Sequence, residues 1–331
     1  MSETVSTASS VRNIDGIGER ALHWLVLSGN RIAVTGVLVG AIAALFFTLV
    51  RLGLVAIGPG SAAASAFGSG FVSGTVTLVT IALSINQLVL SRMFGSPGEL
   101  FDQMDGTRDL RRRVREHAGE SSVPNDPADF LGLTAETLTE RANRLSAAFE
   151  ASDDTPAEAE DYAEGIATYG ESIAEKIESQ TAIVNVLAVV LGTEYAQNMT
   201  ATEHLQNEYD QFPPAAESEL DAIDDLIAAI AVTRQFFKTL SLQQDFARLS
   251  RVVAYSGLVA LATTVAMALV YRPDSVTVPE PYLAVAFSLS LGVIVTPLAV
   301  FIAYMFRAAT IARRTVSVGP FVPPEERADS G

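Results

Sequence analysis

Four stretches of this chain, residues 32–50, 67–90, 252–271 and 282–306, are each long and apolar enough to cross a hydrocarbon core about 30 Å thick, which takes about 20 residues of helix. Each predicts a membrane helix, and no charged residue falls in the middle of any of them. The first is expected to persist in the mature chain. It starts too far from the N-terminus for a cleaved leader, and a second span follows it instead of a secreted domain. The two pairs of spans are separated by residues 93–251, whose character is the opposite of theirs.

Residues 93–251 carry 30 of the 38 acidic residues in a chain of net charge −16 that is nonetheless 49% hydrophobic. Apolar and acidic material are therefore segregated along the sequence. Strand-like alternation is scarce in this region, and the hairpin-type pair Asp105-Gly106 lacks alternating apolar flanks, so the region reads as helices. Prolines punctuate it. Pro97 can open a segment to about residue 117, Pro124 and Pro127 bracket a loop before a segment over 129–151 capped by Asp129, and Thr155-Pro156 opens a long segment to about residue 199. Pro213 and Pro214 then restart the chain. From residue 215 no proline occurs until Pro273 and no glycine until Gly257, which predicts one helix running on into the third span. Its residues Ile223, Leu226, Ile227, Ile230 and Phe237 form an apolar stripe opposite Glu217, Asp221, Asp224 and Asp225. The run AIVNVLAVVLG, residues 182–192, is too short to span and reads as a buried core helix.

Orientation follows from the arginines, since cytoplasmic flanks collect Lys and Arg. Arg12, Arg20 and Arg31 precede the first span; Arg92 and the later arginines up to Arg115 follow the second; Arg234, Lys238, Arg248 and Arg251 precede the third; Arg307, Arg313 and Arg314 follow the fourth. The loops on the other side hold only Arg51 and Arg272. Both termini and the middle region are thus expected in the cytoplasm. The expected fold class is all-α: four transmembrane helices with a cytoplasmic α-helical bundle inserted between the second and third spans. The expected divisions are a disordered tail (1–10), an interfacial amphipathic helix (11–30), transmembrane helices 1 and 2 (31–92), an acidic helical domain (93–250), transmembrane helices 3 and 4 (251–306) and a cytoplasmic tail (307–331). The interfacial helix rests on Ile14, Ile17, Ala21, Trp24 and Leu25, which recur at helical spacing.

The second span carries the most informative polar pattern. Ser73, Thr77, Thr80, Ser84, Gln87 and Ser91 recur at spacings of three and four and share one side of a helix, with Ser69 extending the row. Such a row could line a water-filled pathway at an oligomer axis. It equally suits close helix packing, in which hydroxyls bond back to their own helix and small residues let backbones approach, as Gly36-x-x-x-Gly40 and Gly70-x-x-x-Gly74 also allow. A second candidate is the basic block Arg108, Arg111, Arg112, Arg113 and Arg115, close enough to the second span to touch lipid phosphates or else paired with acidic neighbours.

Catalytic and metal chemistry find little to stand on. Glu164, Glu171, Glu175 and Glu178 fall near one helical face, but an acidic solvated face accounts for them better than a cation site. His204 and Glu208 stand four apart without further ligands, so no metal is assigned. The chain has no Cys, which removes thiolate ligands, disulfides and cysteine nucleophiles. Neither a Gly-x-Ser-x-Gly elbow nor a phosphate-cradling glycine loop occurs, so no enzymatic activity and no cofactor are expected. The sequon Asn198-Met199-Thr200 falls on the cytoplasmic side of the expected topology and is disregarded.

The stretch LSINQLVLSRMFGSPGEL, residues 83–100, resembles a segment of uncharacterised four-span membrane proteins of haloarchaea, and the likeness extends over most of the chain. Composition is consistent with that likeness: 20 Arg against two Lys (Lys176 and Lys238) beside 38 acidic residues resembles the haloarchaeal bias. In molar salt the Debye length falls to about 3 Å, so the acidic balance reports solvation and not a basic or nucleic-acid partner. In layout alone, the order of helix, two spans, cytoplasmic helices and two more spans is similar to bestrophin-type anion channels, pentamers whose second membrane helix lines the pore. The aromatic and proline-rich neck motif of those channels is missing from residues 67–92, so this likeness implies an architecture and no residue roles. The expected function is that of an integral membrane protein, an oligomeric scaffold, sensor or transport component. The alternative is a bestrophin-like ion channel with the second span at the pore. The expected partners are the lipid bilayer and further copies of the chain.

Overall fold

The computed structural model describes residues 7–8, 16–58, 61–93, 96–152, 156–177, 183–190, 194–208, 212–271, 274 and 276–313. Among them all regular structure is helical, apart from one antiparallel bridge between Tyr271 and Val276. Four helices are long and apolar enough to cross a membrane. The chain divides into two compact units, one of Met1–Arg20, Gly95–Ser241 and Thr310–Gly331, the other of Ala21–Phe94 and Leu242–Ala309. The sequence positions Arg12, Ile14, Thr155, Glu178 and Arg314 lie outside the described residues.

α1 (Ile17–His23), whose first residues belong to the other unit, runs into a π-helical turn at Trp24–Ser28, and α2 (Arg31–Arg51) follows in the unit that holds the apolar helices. The Asn30 side chain caps α2 by accepting from the Ile32 N–H at 2.9 Å. The second apolar helix begins as α3 (Ala63–Ser65), passes through π turns at Ala66–Phe71 and continues as α4 (Val72–Met93). α10 (Pro214–Val270) is a single helix, as the lack of Pro before Pro273 and of Gly before Gly257 predicts, with residues in both units. α11 (Glu280–Arg313) contains Pro297, whose missing N–H leaves the Val293 carbonyl without its helical donor. Two apolar clusters hold these helices together. Phe67, Tyr271 and Phe287 centre one, with ring centroids 5.8 to 6.4 Å apart. Ala82, Leu249, Val253, Val300 and Tyr304 form the other. α2 is the peripheral member, with 11% of its apolar window buried against 39% for α11.

The other unit is built on α5 (Pro97–Ala118), α6 (Pro127–Glu150), α7 (Ala157–Ile177), α8 (Ile183–Val189), α9 (Glu194–Glu208) and the first part of α10. α5 opens with a capping box, Ser96 and Glu99 satisfying each other's backbone N–H, and ends at Gly119 in the left-handed conformation (φ 68°). The cap of α6 is Asp126, which accepts from the N–H groups of Ala128 and Asp129, and not Asp129 itself. Pro127 fills the first helical position, three residues earlier than Asp129 as cap would require. α6 and α7 pack closely: a Cβ on Gly170 would meet Thr139 Oγ1 and stand 2.7 Å from the Ala135 carbonyl. The expectation of one helix over residues 156–199 is corrected. A straight helix would separate Tyr162 from Thr202 by about 60 Å at 1.5 Å per residue. Their hydroxyls are instead hydrogen-bonded at 2.6 Å, so the chain turns back between α7 and α9. The apolar run within it does form a short buried helix, α8, with Val186 and Leu187 in the core.

Candidate functional site

The polar row of α4 is brought to one face, and that face is open. Ser73, Thr77, Thr80, Ser84 and Gln87 are all exposed, while the side chain of Ser91 lies outside the described residues. The opposite side of α4 packs inward: Ala82 is buried beside Leu249 and Val253, and Val79 lies so close to Gly257 of α10 that a Cβ there would strike it. Two hydroxyls of the row are satisfied within the helix, Thr80 Oγ1 donating to the Val76 carbonyl and Ser84 Oγ to the Thr80 carbonyl, each at 2.9 Å. Ser69 does the same toward Ser65 at 2.8 Å. Such back-bonding removes the cost of placing a hydroxyl in lipid or against another helix. The Gln87 amide is the exception in kind, since its two donors and two acceptor lone pairs exceed what one helix turn offers.

The sequence reading passed over the most buried charge in the same unit. Arg31 and Arg307, both taken as basic flanks, are 3% and 6% exposed, and Asp245 is 8% exposed. Arg307 Nη1 donates to both Asp245 carboxylate oxygens, at 3.1 and 3.3 Å, and its Nη2 donates to the Gly29 carbonyl at 2.6 Å. Arg31 gathers carbonyls: it donates to Gly29 from Nε and Nη2 at 2.9 and 2.7 Å, to Leu25 at 2.9 Å, to Trp24 at 3.1 Å and to Ala303 at 3.1 Å. The Trp24 carbonyl already accepts from the Gly29 N–H at 2.8 Å, and a guanidinium with five donors is suited to collect the carbonyls that gather at the end of this π turn. Gly29 is required there, because a Cβ would run into the Trp24 carbonyl and stand 2.9 Å from its ring. The cluster ties the turn at Trp24–Gly29 to α2, α10 and α11. Two guanidiniums, one carboxylate and a set of backbone carbonyls make it an arrangement that binds and positions. A sequence signal existed in retrospect: Asp245 is the one acidic residue in the stretch of α10 between Asp225 and the third span.

In the other unit the basic block is largely consumed by its own neighbours. Arg112 and Arg113 both pair with Asp109, Arg113 at 3.1 Å, and Arg113 also reaches Asp225 at 3.0 Å. These hydrogen bonds, from Arg112 first and Arg113 second, hold the Asp109 carboxyl below the usual carboxylate range. Arg111 donates to the carbonyls of Pro124 and Val123 at 2.7 and 2.8 Å and to Asn125 at 3.0 Å. Arg108 stands 3.5 Å from Asp105 and Arg115 3.8 Å from Glu116, and both pairs are exposed. Arg141 meets Glu219 at 3.1 Å, and His117 meets Asp225 at 3.0 Å. Glu164, Glu171 and Glu175 are exposed on α7, as a solvated face predicts. His204 faces Glu158 at 3.7 Å. Among the described residues no three His, Asp or Glu side chains converge on a metal position.

Residues 2–330 match a family of unknown function, DUF7972. The chain belongs to that family. The match covers both compact units. No curated protein and no solved structure matches the chain.

Proposed function

We propose that this member of the family is a multi-pass membrane protein that self-associates through the polar face of α4 and serves as a scaffold, sensor or transport component. The observation that carries this reading is the open face itself. In α4 the exposed Ser73, Thr77, Thr80, Ser84 and Gln87 lie opposite the face that packs on α10 and α11. An amide facing hydrocarbon is costly, and a second copy offers both small-residue packing and hydrogen-bond partners. The proposal places both termini and residues 93–250 in the cytoplasm, on the arginine asymmetry. Leu100, Phe101 and Met104 are exposed on α5 just before Arg108, which supports contact of that helix start with a bilayer surface. The test is a disulfide scan in this Cys-free chain: single Cys at Thr80 or Ser84 should cross-link two copies in the membrane, and Cys at the buried Ala82 should not. Equal cross-linking at all three positions, or none, sinks the proposal.

One observation favours a second reading, an ion channel with α4 at the pore. Gln87 is exposed on the same face as the hydroxyls and is the residue that packing explains least. Chloride and potassium flux into liposomes decides it: a selective flux that Gln87→Glu alters supports the channel, and its absence under any gradient removes it.

A further inference from the structure

Gly165 lies inside α7 and Asn198 inside α9, and both are poorer helix formers than Ala. Helix geometry does not call for either, since Gly165 has no positive φ. Nor does packing against α6 call for Gly165, in contrast to Gly170. The atoms nearest to a Cβ on Gly165 all belong to Thr7: its Oγ1, its Cβ at 2.8 Å and its Cγ2 at 3.5 Å. Asn198 is fully buried, and its side-chain amide closes on the next residue, accepting from the Ala8 N–H at 2.9 Å and donating to the Ala8 carbonyl at 3.3 Å. Two residues that cost their helices stability are thus explained by one dipeptide.

We infer that the groove between α7 and α9 is a binding site for an extended peptide segment, read through its backbone and one small side chain, with the chain's own N-terminal segment as occupant. An amide can pair with the N–H and the carbonyl of one residue only when both point the same way, as they do in extended backbone. This recognition takes any residue but proline at the position of Ala8, since it uses the backbone N–H. The preceding position is selective, because Thr7 rests where a Cβ of Gly165 would be and a larger side chain has no room. The walls are fixed in advance: Tyr162 of α7 bonds Thr202 of α9 at 2.6 Å, and Thr202 Oγ1 donates to the Asn198 carbonyl at 2.8 Å. Removing the segment strands a buried amide, so the groove favours being filled.

Two measurements on the full chain test this. A nitroxide on Ser6→Cys, the sole cysteine, should be immobilised; Asn198→Ala and Gly165→Ala should each free it. Gly165→Ala should do so although Ala is the better helix former in α7; a glycine needed only for packing would lose stability and leave the label immobilised. A synthetic peptide of residues 2–11 should bind the chain lacking residues 2–10 at least tenfold more tightly than the intact chain, and Thr7→Trp in the peptide should abolish that gain. A label equally mobile in all variants, together with a peptide that binds neither form, overturns the proposal. Immobilisation that vanishes on dilution would assign the segment to a neighbouring copy and overturn the occupant named here.

Discussion

Asp245 and Arg307 show what a buried charge does in this chain. Each is more than nine-tenths buried, and Arg307 Nη1 meets the Asp245 carboxylate at 3.1 Å. Removing one partner leaves the other stranded, which costs about 3–5 kcal/mol, whereas replacing both with apolar groups of similar size is close to neutral. Asp245→Leu and Arg307→Met should therefore each lower the thermal unfolding temperature in detergent, and the double variant should recover most of the loss. Additive losses in the double variant would mean that the two side chains do not act as a pair. Gly170 is a second residue-scale case, because Thr139 occupies the space of a Cβ. Gly170→Ala should cost about 1–3 kcal/mol by overpacking α6 against α7, measured by chemical unfolding.

Among the elements, α7 and α4 make contrasting demands on their surroundings. α7 buries two phenols, Tyr162 and Tyr169, and burial pushes the pKa of both well above the usual tyrosine value. The unfolded chain then loses these protons first, so the stability they confer is complete below about pH 10 and is lost as pH rises past it. Helical circular dichroism should fall in an alkaline transition, and Tyr169→Phe should move its midpoint upward. α4 instead turns its hydroxyls outward, bonded into their own helix. If a second copy covers that face, Ser84→Leu should overfill the contact and cost about 1–3 kcal/mol of assembly stability, while Ser84→Ala stays near neutral. Size-exclusion chromatography with light scattering reads the outcome; an unchanged assembly in the Leu variant argues for a face in lipid or water.

At the scale of the whole molecule, the expected topology follows from the segregation of Arg around four apolar helices. Single Cys probes at Ser61 and Ser275 should react with a membrane-impermeant maleimide in intact cells, while probes at Ser152 and Ser330 should react only after lysis. The reverse pattern would invert every cytoplasmic assignment made above. Reaction at all four positions would instead remove the two-sided arrangement.

The sequence by itself determined the features that depend on neighbours along the chain. Span length, proline and glycine punctuation and helix caps are local, so the four apolar helices, the 57-residue course of α10 and the boundaries of α5 were legible. So was the one-sided row from Ser73 to Gln87, because helical periodicity alone sets it. The tertiary structure decided which side of α4 faces its own unit, a matter of where α10 and α11 lie. It also decided the reversal between α7 and α9, which spacing alone read as one long helix. Arg31 and Arg307 looked like headgroup anchors because flanking arginines usually are. Their burial depends on a carboxylate 62 residues from Arg307 and a carbonyl 278 residues from it, and no local pattern encodes such distances. Likewise, Gly165 read only as a point where a long helix could bend and Asn198 only as a sequon on the cytoplasmic side, until the fold set Thr7 and Ala8 upon them.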